Sequence, residues 1–372
     1  MDLTTTLNGH TVQNVVRTVG INPNYWYPAG WANQLKPGQI QSVKVWKQAI
    51  AIYRDDHGVL HALENACPHR GVELHRGKVR GEHIACPYHG WEFDGNTGEC
   101  VRIPYLPESQ KLPCAQARRY PIQEKYGLIW VFPGDPSLAA QQPLIEVDEY
   151  GDDQWVMVPI TAHFNAHFTV CNENAMDVFH GELHQDLQGW FNPVLLDLKA
   201  TDASIRAEYQ VSYKGHLAKF LGLSESADEV TTLPVTIQYL YPHYKSTLQG
   251  VSSVYLMRLP VDVAESRSFA LFFFRVNLPS WLIQPIKPAL SWVIQRFMLR
   301  PFLNQDIEMM ESEQAVYLDN PSRRYVEINP AIIALQRLMV RQYEQFMQQS
   351  SQLSGSPIFQ ADQASSKSDA LV

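Results

Sequence analysis

Two short loops fix the ligands of a metal cofactor before any fold is considered. They read Cys67-Pro68-His69-Arg70-Gly71 and, after a spacer, Cys86-Pro87-Tyr88-His89-Gly90-Trp91. Each loop supplies one thiolate and one imidazole. Each has a stiffening proline behind its cysteine and a glycine where the backbone must pass close to the bound group. Cys67, His69, Cys86 and His89 suit a [2Fe–2S] cluster whose cysteines hold one iron and whose histidines hold the other. Cys₂His₂ also suits tetrahedral zinc. Zinc fingers, however, group like ligands, whereas here each loop carries one of each kind.

The sequence around the loops reads as strands. Ser42 to Arg54 is rich in β-branched and aromatic residues and breaks near Lys47-Gln48, which predicts a strand pair. Asp55-Asp56-His57-Gly58 is a turn, Val59 to Glu64 a further strand, Asp94 to Gly98 another turn, and Tyr126 to Phe132 a closing strand. An all-β domain over 25–135 is expected, with the ligand loops at the tips of its sheet. Pro133 to Pro143 reads as a linker. In a second domain over 140–349, Trp155 to Phe168 alternates like a strand and Cys171 to Leu187 shifts to helical spacing. Ala207 to Tyr213, Thr232 to Leu240, Thr247 to Leu259 and Ser268 to Val276 predict a large antiparallel sheet. Leu290 to Tyr317, bent at Pro301, and Ala331 to Gln349 predict helices that flank it. The fold class is therefore α+β, with a disordered Ser/Gln/Ala-rich tail over 350–372.

A second metal site is expected in the helical stretch. Residues four apart share a helix face, so His180 and His184 can hold one ion, with Asp177 on the same side. Two histidines and a carboxylate make a facial triad that leaves positions open for O₂ and substrate at Fe(II). His163 and His167 have the same spacing but fall in a strand-like run, too far apart to chelate, and read as structural. On a helical projection of Phe302 to Leu318, Asp306 and Glu313 fall on the apolar face. A carboxylate sent into a core must be paired or bind metal.

The pattern CPHRG…CPYHGW resembles the Rieske domain of ring-hydroxylating oxygenases. Respiratory Rieske proteins carry a second cysteine in each loop, and these loops have none. Glu173-Asn174 through His184 is similar to the iron-binding helix of that family, and Asn304-Gln305-Asp306 to its later carboxylate segment. The resemblance implies a catalytic mononuclear Fe(II) held by His180, His184 and Asp306. It also implies that Asp177 bridges the cluster histidine His89 to His180 across neighbouring subunits of a homotrimer. The usual gap between the iron histidines is four residues, and here it is three. The C-terminal C-x-x-C of plant members is absent, since no cysteine follows Cys171. The implied function is an oxygenase that takes electrons from a ferredoxin or flavin reductase. It would hydroxylate an apolar, ring-bearing substrate with O₂ or remove an O- or N-methyl group. A Rieske electron carrier without oxygenase activity is the alternative.

Composition narrows the surroundings. The formal net charge of −8 argues against nucleic acid. Cys67 to Lys125 holds nine Lys/Arg against seven Asp/Glu, a local +2, so about −10 lies elsewhere, and a basic collar could guide an acidic electron donor. Five cysteines, two of them assigned to the cluster, give no paired framework and favour a reducing, cytoplasmic compartment. No apolar leader is visible in Met1 to Asn22. The run Trp281 to Phe302 is too interrupted to span a bilayer. It reads either as a helix packed on the core or closing a pocket, or as a peripheral membrane contact. Phe168, Met176, Phe179, Met309 and Met310 suggest an apolar pocket beside the iron.

Overall fold

A computed structural model describes residues 6–7, 10–11, 15–107, 109–184, 190–214, 226, 229–248, 250–276 and 279–352. The expected tail falls outside these from residue 353, while Ser350 still belongs to the last helix.

The N-terminal half is all β. Its strands are β1 (Tyr27–Trp31), β2 (Ile40–Val45), β3 (Gln48–Arg54), β4 (Leu60–Glu64), β5 (Lys78–Arg80), β6 (His83–Ala85), β7 (Glu92–Asp94), β8 (Cys100–Arg102), β9 (Ile122–Lys125) and β10 (Leu128–Val131). They form three small antiparallel sheets rather than one, in the orders β2-β3-β4, β8-β7-β6-β5 and β9-β10-β1. The Cys67 loop follows β4 and the Cys86 loop joins β6 to β7. Trp46 and Lys47, both at positive φ (43° and 70°), make the two-residue turn between β2 and β3, the geometry that matches the twist of paired strands.

The second half contains β11 (Trp155–Phe164), α1 (Phe168–Met176), β12 (Trp190–Ala200), β13 (Ser204–Tyr213), β14 (Thr231–Leu240), β15 (His243–Leu248), β16 (Ser252–Asp262) and β17 (Glu265–Arg275). Helices α2 (Ser280–Ile283), α3 (Lys287–Ile294), α4 (Arg300–Asp319) and α5 (Pro330–Gln352) follow. One antiparallel sheet of seven strands runs in the order β11-β17-β16-β15-β14-β13-β12. The fold is α+β, as expected.

Several expected elements are redrawn. The strand from Trp155 stops at Phe164, and His167 instead caps α1, its side chain accepting from the Thr169 amide. The stretch Thr247 to Leu259 is a hairpin, not one strand: β15 ends at Leu248, Gly250 sits at φ 75°, and β16 begins at Ser252. Strand β12 was not expected because Pro193 breaks its pattern. It lies at the sheet edge, where proline is tolerated. A π-helical stretch, Gln295–Leu299, separates α3 from α4. Pro301 falls in the first turn of α4, where its missing N–H costs no hydrogen bond.

The large sheet divides the molecule. Tyr255, Met257 and Leu259 of β16 enter a core shared with Tyr27 and Trp130 of the N-terminal half. The alternate residues Val254 and Leu256 join a second core with Ile283, Ile294 and Leu299 from the helices, as a period of two requires. The β2–β3 turn docks on β16 through the amides of Trp46 and Lys47, which donate to Pro260 O (2.8 Å) and Val261 O (3.0 Å). The Trp46 ring then meets His167 and Phe168, each 5.6 Å away, at the start of α1.

Candidate metal centres

The two cysteine loops are built alike. The Cys67 amide donates to Val72 O and the Gly71 amide to Cys67 O (2.8 and 2.7 Å). The Cys86 amide donates to Trp91 O and the Gly90 amide to Cys86 O (2.8 and 3.0 Å). Gly71 and Gly90 sit at φ 69° and 70°, where a side chain is strained. Cys67 and Cys86 are buried, and the amides of His69 and Arg70 point at the Cys67 sulfur. Burial pushes the free Cys67 thiol up to about 11, so a thiolate there needs bound cations. His69 and His89 lie at the surface with ring centroids 4.8 Å apart, and Trp91 stacks on His69 at 4.5 Å. These four residues do not converge on one point. Among the described residues only His180, His184 and Asp306 bring three such ligand atoms within 4.8 Å of one another. One tetrahedral zinc needs such convergence, whereas a cluster with two irons spreads its ligands.

The second site forms where α1 ends. Asp177 is its C-cap (φ −87°, ψ 114°), and the same side chain accepts from the Phe179 amide at 2.9 Å. Phe179–His184 then winds as a 3₁₀ turn. His180 and His184 therefore do not share a face of a regular α-helix, which corrects the expectation. The tighter winding, with about three residues per turn, brings them together from two directions. Their ring centroids are 5.2 Å apart. Gly181 permits this: a Cβ there would lie 2.5 Å from Trp190 Nε1 and 2.9 Å from Trp190 O at the start of β12.

Asp306 of α4 closes the set. Its Oδ1 lies 3.1 Å from His184 Nε2 and 3.7 Å from His180 Nε2, and it accepts from Asn174 Nδ2 at 3.3 Å. His184 is fully buried between Phe302 (4.0 Å) and Trp190 (5.1 Å), and its Nδ1 meets Gln305 Oε1 at 2.9 Å. That contact fixes the ring and frees Nε2 for a metal. His180 Nδ1 is buried without a hydrogen-bond partner, the nearest carboxylate oxygen being Asp177 Oδ2 at 3.9 Å. Burial holds His180 below the usual imidazole value against the opposing pull of Asp306, which favours the neutral ring a metal needs. The donor set and the orphaned nitrogen fit a facial-triad iron.

Glu313, the other carboxylate singled out on α4, is half exposed and has a different task. It accepts from Arg17 Nη2 at 2.7 Å, while Arg17 also holds Glu173 at 2.5 and 2.8 Å and Thr169 at 2.8 Å. Arg17, which carried no signal in the sequence, thus ties α1 to the helix that bears Asp306. Arg17→Met should cost about 3 kcal/mol, because it strands the buried Glu173 carboxylate. Chemical denaturation would measure this, and iron affinity should fall with it. A change under 1 kcal/mol would reject the clamp. His163 is exposed and meets Glu265 at 3.1 Å. His167 is buried and held down to about 3. Neither joins a metal site.

A cavity of about 480 Å³ opens beside His180 and Asp306. Of the five residues expected around an apolar pocket, only Met310 lines it. Phe168 and Met176 sit in the shared core, and Phe179 and Met309 are exposed. The walls come mainly from the sheet, as with Val211, Ile237, Leu256 and Phe272, and from Phe297 and Phe302 of the helices. No helix among the described residues is long and apolar enough to cross a membrane.

The Rieske [2Fe-2S] domain family matches residues 25–119. Over 340 residues, 90% of this chain and 91% of the relative, the sequence is 35% identical to the 4β-methylsterol monooxygenase of Methylococcus capsulatus (strain ATCC 33009 / NCIMB 11132 / Bath). The chain belongs to the Rieske non-haem iron oxygenase family. It is thus an oxidoreductase with a Rieske [2Fe–2S] cluster, a mononuclear non-haem iron and O₂ as co-substrate. The fold of this Rieske oxygenase is also that of dicamba monooxygenase bound to 3,6-dichlorosalicylic acid. The TM-score is 0.72 at 22% identity, over 90% of this chain and 99% of that one. It is likewise similar to the oxygenase in the reduced oxygenase–ferredoxin complex of carbazole 1,9a-dioxygenase, with a TM-score of 0.66 at 18% identity over 94% and 96% of the two chains.

Proposed function

We propose that this Rieske oxygenase monooxygenates an aliphatic carbon of a polycyclic, largely hydrocarbon substrate of sterol size. One atom of O₂ enters a C–H bond and the other leaves as water. Two electrons come from a ferredoxin or flavin reductase, and two protons from solvent. The reading rests on the cavity. At about 480 Å³ it falls in the range of about 300–1,000 Å³ typical of ligand pockets, its lining is mostly hydrocarbon, and it reaches His180 and Asp306. The relative that matches most of the chain is named for a methylsterol.

In this reading Cys67, Cys86, His69 and His89 hold the cluster, and His180, His184 and Asp306 hold the iron. When bound, the cluster supplies single electrons and the iron supplies the site of O₂ reduction. Asp177, whose Oδ2 lies 3.9 Å from His180 Nδ1, would close on that N–H and, across the subunit boundary of a homotrimer, on that of His89. The exposed His69–His89 face, flanked by Arg80, Arg102 and Tyr105, suits a neighbouring subunit or an acidic donor. None of the five cysteines pairs in a disulfide, which fits a reducing compartment such as the cytoplasm. Ring hydroxylation and O- or N-demethylation of a smaller aromatic are second readings, with no lining feature in their favour.

One cavity residue points to a substrate oxygen. Arg258 is buried on β16 directly opposite Ser268 of β17, and both line the cavity. Among the described residues its one side-chain hydrogen bond runs from Nη2 to Cys171 O (2.7 Å). No carboxylate lies within 4 Å among the described residues, and Arg258 Nε and Ser268 Oγ lack partners. Burial lowers its pKa, and a hydroxyl or ketone on the substrate would relieve the unmet donors. Ser268→Ala and Arg258→Met should each raise KM about ten-fold for a 3-hydroxysterol and leave that of its 3-deoxy analogue unchanged. Equal effects on both substrates would remove the anchor.

Iron-loaded protein with a ferredoxin and its reductase should convert a 4,4-dimethylsterol to a product that carries one ¹⁸O atom from ¹⁸O₂. Turnover of monocyclic aromatic acids, with none of any polycycle, would overturn the proposal.

A further inference from the structure

The segment 279–303 roofs the cavity and, among the described residues, meets the rest of the chain with one side. Ile283, Ile294 and Leu299 are buried against β11 and β17, and Phe297, Met298 and Phe302 line the cavity. This is the core-packed, pocket-closing arrangement that the sequence allows. The outward side is also apolar. Trp281 is 75% exposed, Trp292 58% and Phe297 62%, with Leu282, Ile286 and Val293 beside them in the chain. The Trp292 and Phe297 rings meet at 5.9 Å.

The charge of this region runs against that of the molecule. Between Glu265 and Asp306 the chain carries Arg267, Arg275, Lys287, Arg296 and Arg300 and neither Asp nor Glu, in a protein of net charge −8. Among the described residues Lys287, Arg296 and Arg300 enter no ion pair within 4 Å. Arg296, Arg300 and Trp292 line a shallow surface depression. Among the described residues Asp153 reaches this face and accepts from the Gln284 side chain.

We infer that this roof docks on an anionic lipid bilayer and that the apolar substrate enters the cavity from the membrane. Exposed tryptophans and phenylalanine flanked by unpaired cations are what an interfacial surface needs: rings at the headgroup level and positive charge facing lipid phosphate. A subunit interface is a poorer fit, since protein contacts disfavour lysine at their centre and bury cations only against acids. Phe297 belongs to both surfaces, exposed outside and lining the cavity within, which places the entrance in the docked face. Delivery of substrate rests on the sterol-like reading, whereas docking rests on the patch alone.

Flotation of the full, iron-loaded protein with phosphatidylcholine vesicles, with and without phosphatidylglycerol, tests this. Binding is expected to anionic vesicles and to weaken with salt, with tryptophan emission quenched by brominated lipid. Trp281→Ser/Trp292→Ser, two residues outside the cavity, should weaken flotation about ten-fold. The same pair should slow turnover of vesicle-embedded sterol while leaving turnover of detergent-solubilised sterol unchanged. Lys287→Glu/Arg296→Glu should abolish the preference for anionic lipid. No flotation at low salt would overturn the inference. So would a drop in oligomer mass by light scattering in the tryptophan variant, which would assign the patch to a second copy of the chain. Vesicle binding without sterol turnover would reject the substrate and keep the docking surface.

Discussion

Asp306→Ala should remove one iron per chain and all measurable turnover, while the visible spectrum of the [2Fe–2S] cluster stays intact. Asp306 offers the one carboxylate oxygen that lies with His180 and His184 within 4.8 Å among the described residues. Its side chain is 7% exposed, so removing it takes away a buried anionic ligand. Two neutral imidazoles without the anion leave a site of lower charge and lower affinity for Fe(II). The substitution sits far along the chain from Cys67 to His89, so the two metals should separate cleanly. Iron analysis with absorption and EPR spectra would check it. Retention of the third iron by the variant would mean that another residue supplies the ligand, and the proposed site would have to be redrawn.

Asp177→Asn should retain both metals yet lose turnover about 100-fold. Asparagine keeps the local structure. Its side-chain oxygen can still accept from the Phe179 amide and from Asn329 Nδ2, as Asp177 Oδ1 does at 2.9 and 3.1 Å, and Asn caps as well as Asp does. Only the negative charge facing the unpartnered His180 Nδ1 is lost. A purely structural aspartate would therefore tolerate the exchange. Single-turnover kinetics with a pre-reduced cluster should place the defect in reoxidation of the cluster rather than in substrate binding. Unchanged reoxidation would exclude Asp177 from the electron path.

The two cysteine loops were legible because their geometry is local. Proline, glycine and ligand occur within five residues, and the hydrogen bonds that close each loop stay inside it. The longer strands of both halves were legible for the same reason, through alternation, except where a proline marked the edge strand β12 or a glycine split β15 from β16. Strand β1 and the strands β5 to β9, of three to five residues each, are too short to show a period. Spacing singled out His180 and His184, which the structure does bring together with Asp306, but for the wrong local reason. A regular helix was expected, and the chain instead ends α1 at Asp177 and tightens into a 3₁₀ turn, because Gly181 lets Trp190 press against it. A contact with a strand that begins nine residues later leaves no periodic trace.

The helical projection narrowed the carboxylates to Asp306 and Glu313 and could go no further, since both fall on one side of α4. Arg17 decides between them. It lies 296 residues from Glu313, and its guanidinium takes that carboxylate and leaves Asp306 to the imidazoles. The cavity followed the same rule. Its walls come from all seven strands of the large sheet and the roof helices, so residues near His180 in sequence were poor guides to its lining.

The two kinds of metal centre, the α+β class and the order of the two halves could be read from residue order, because ligand spacing and side-chain alternation are properties of neighbouring residues. Which carboxylate meets the histidines, where the cavity beside them opens, and which side of the roof faces outward emerged only from the folded chain. Each of these depends on packing between segments far apart in the chain, and such packing is set by the whole core rather than by any local pattern.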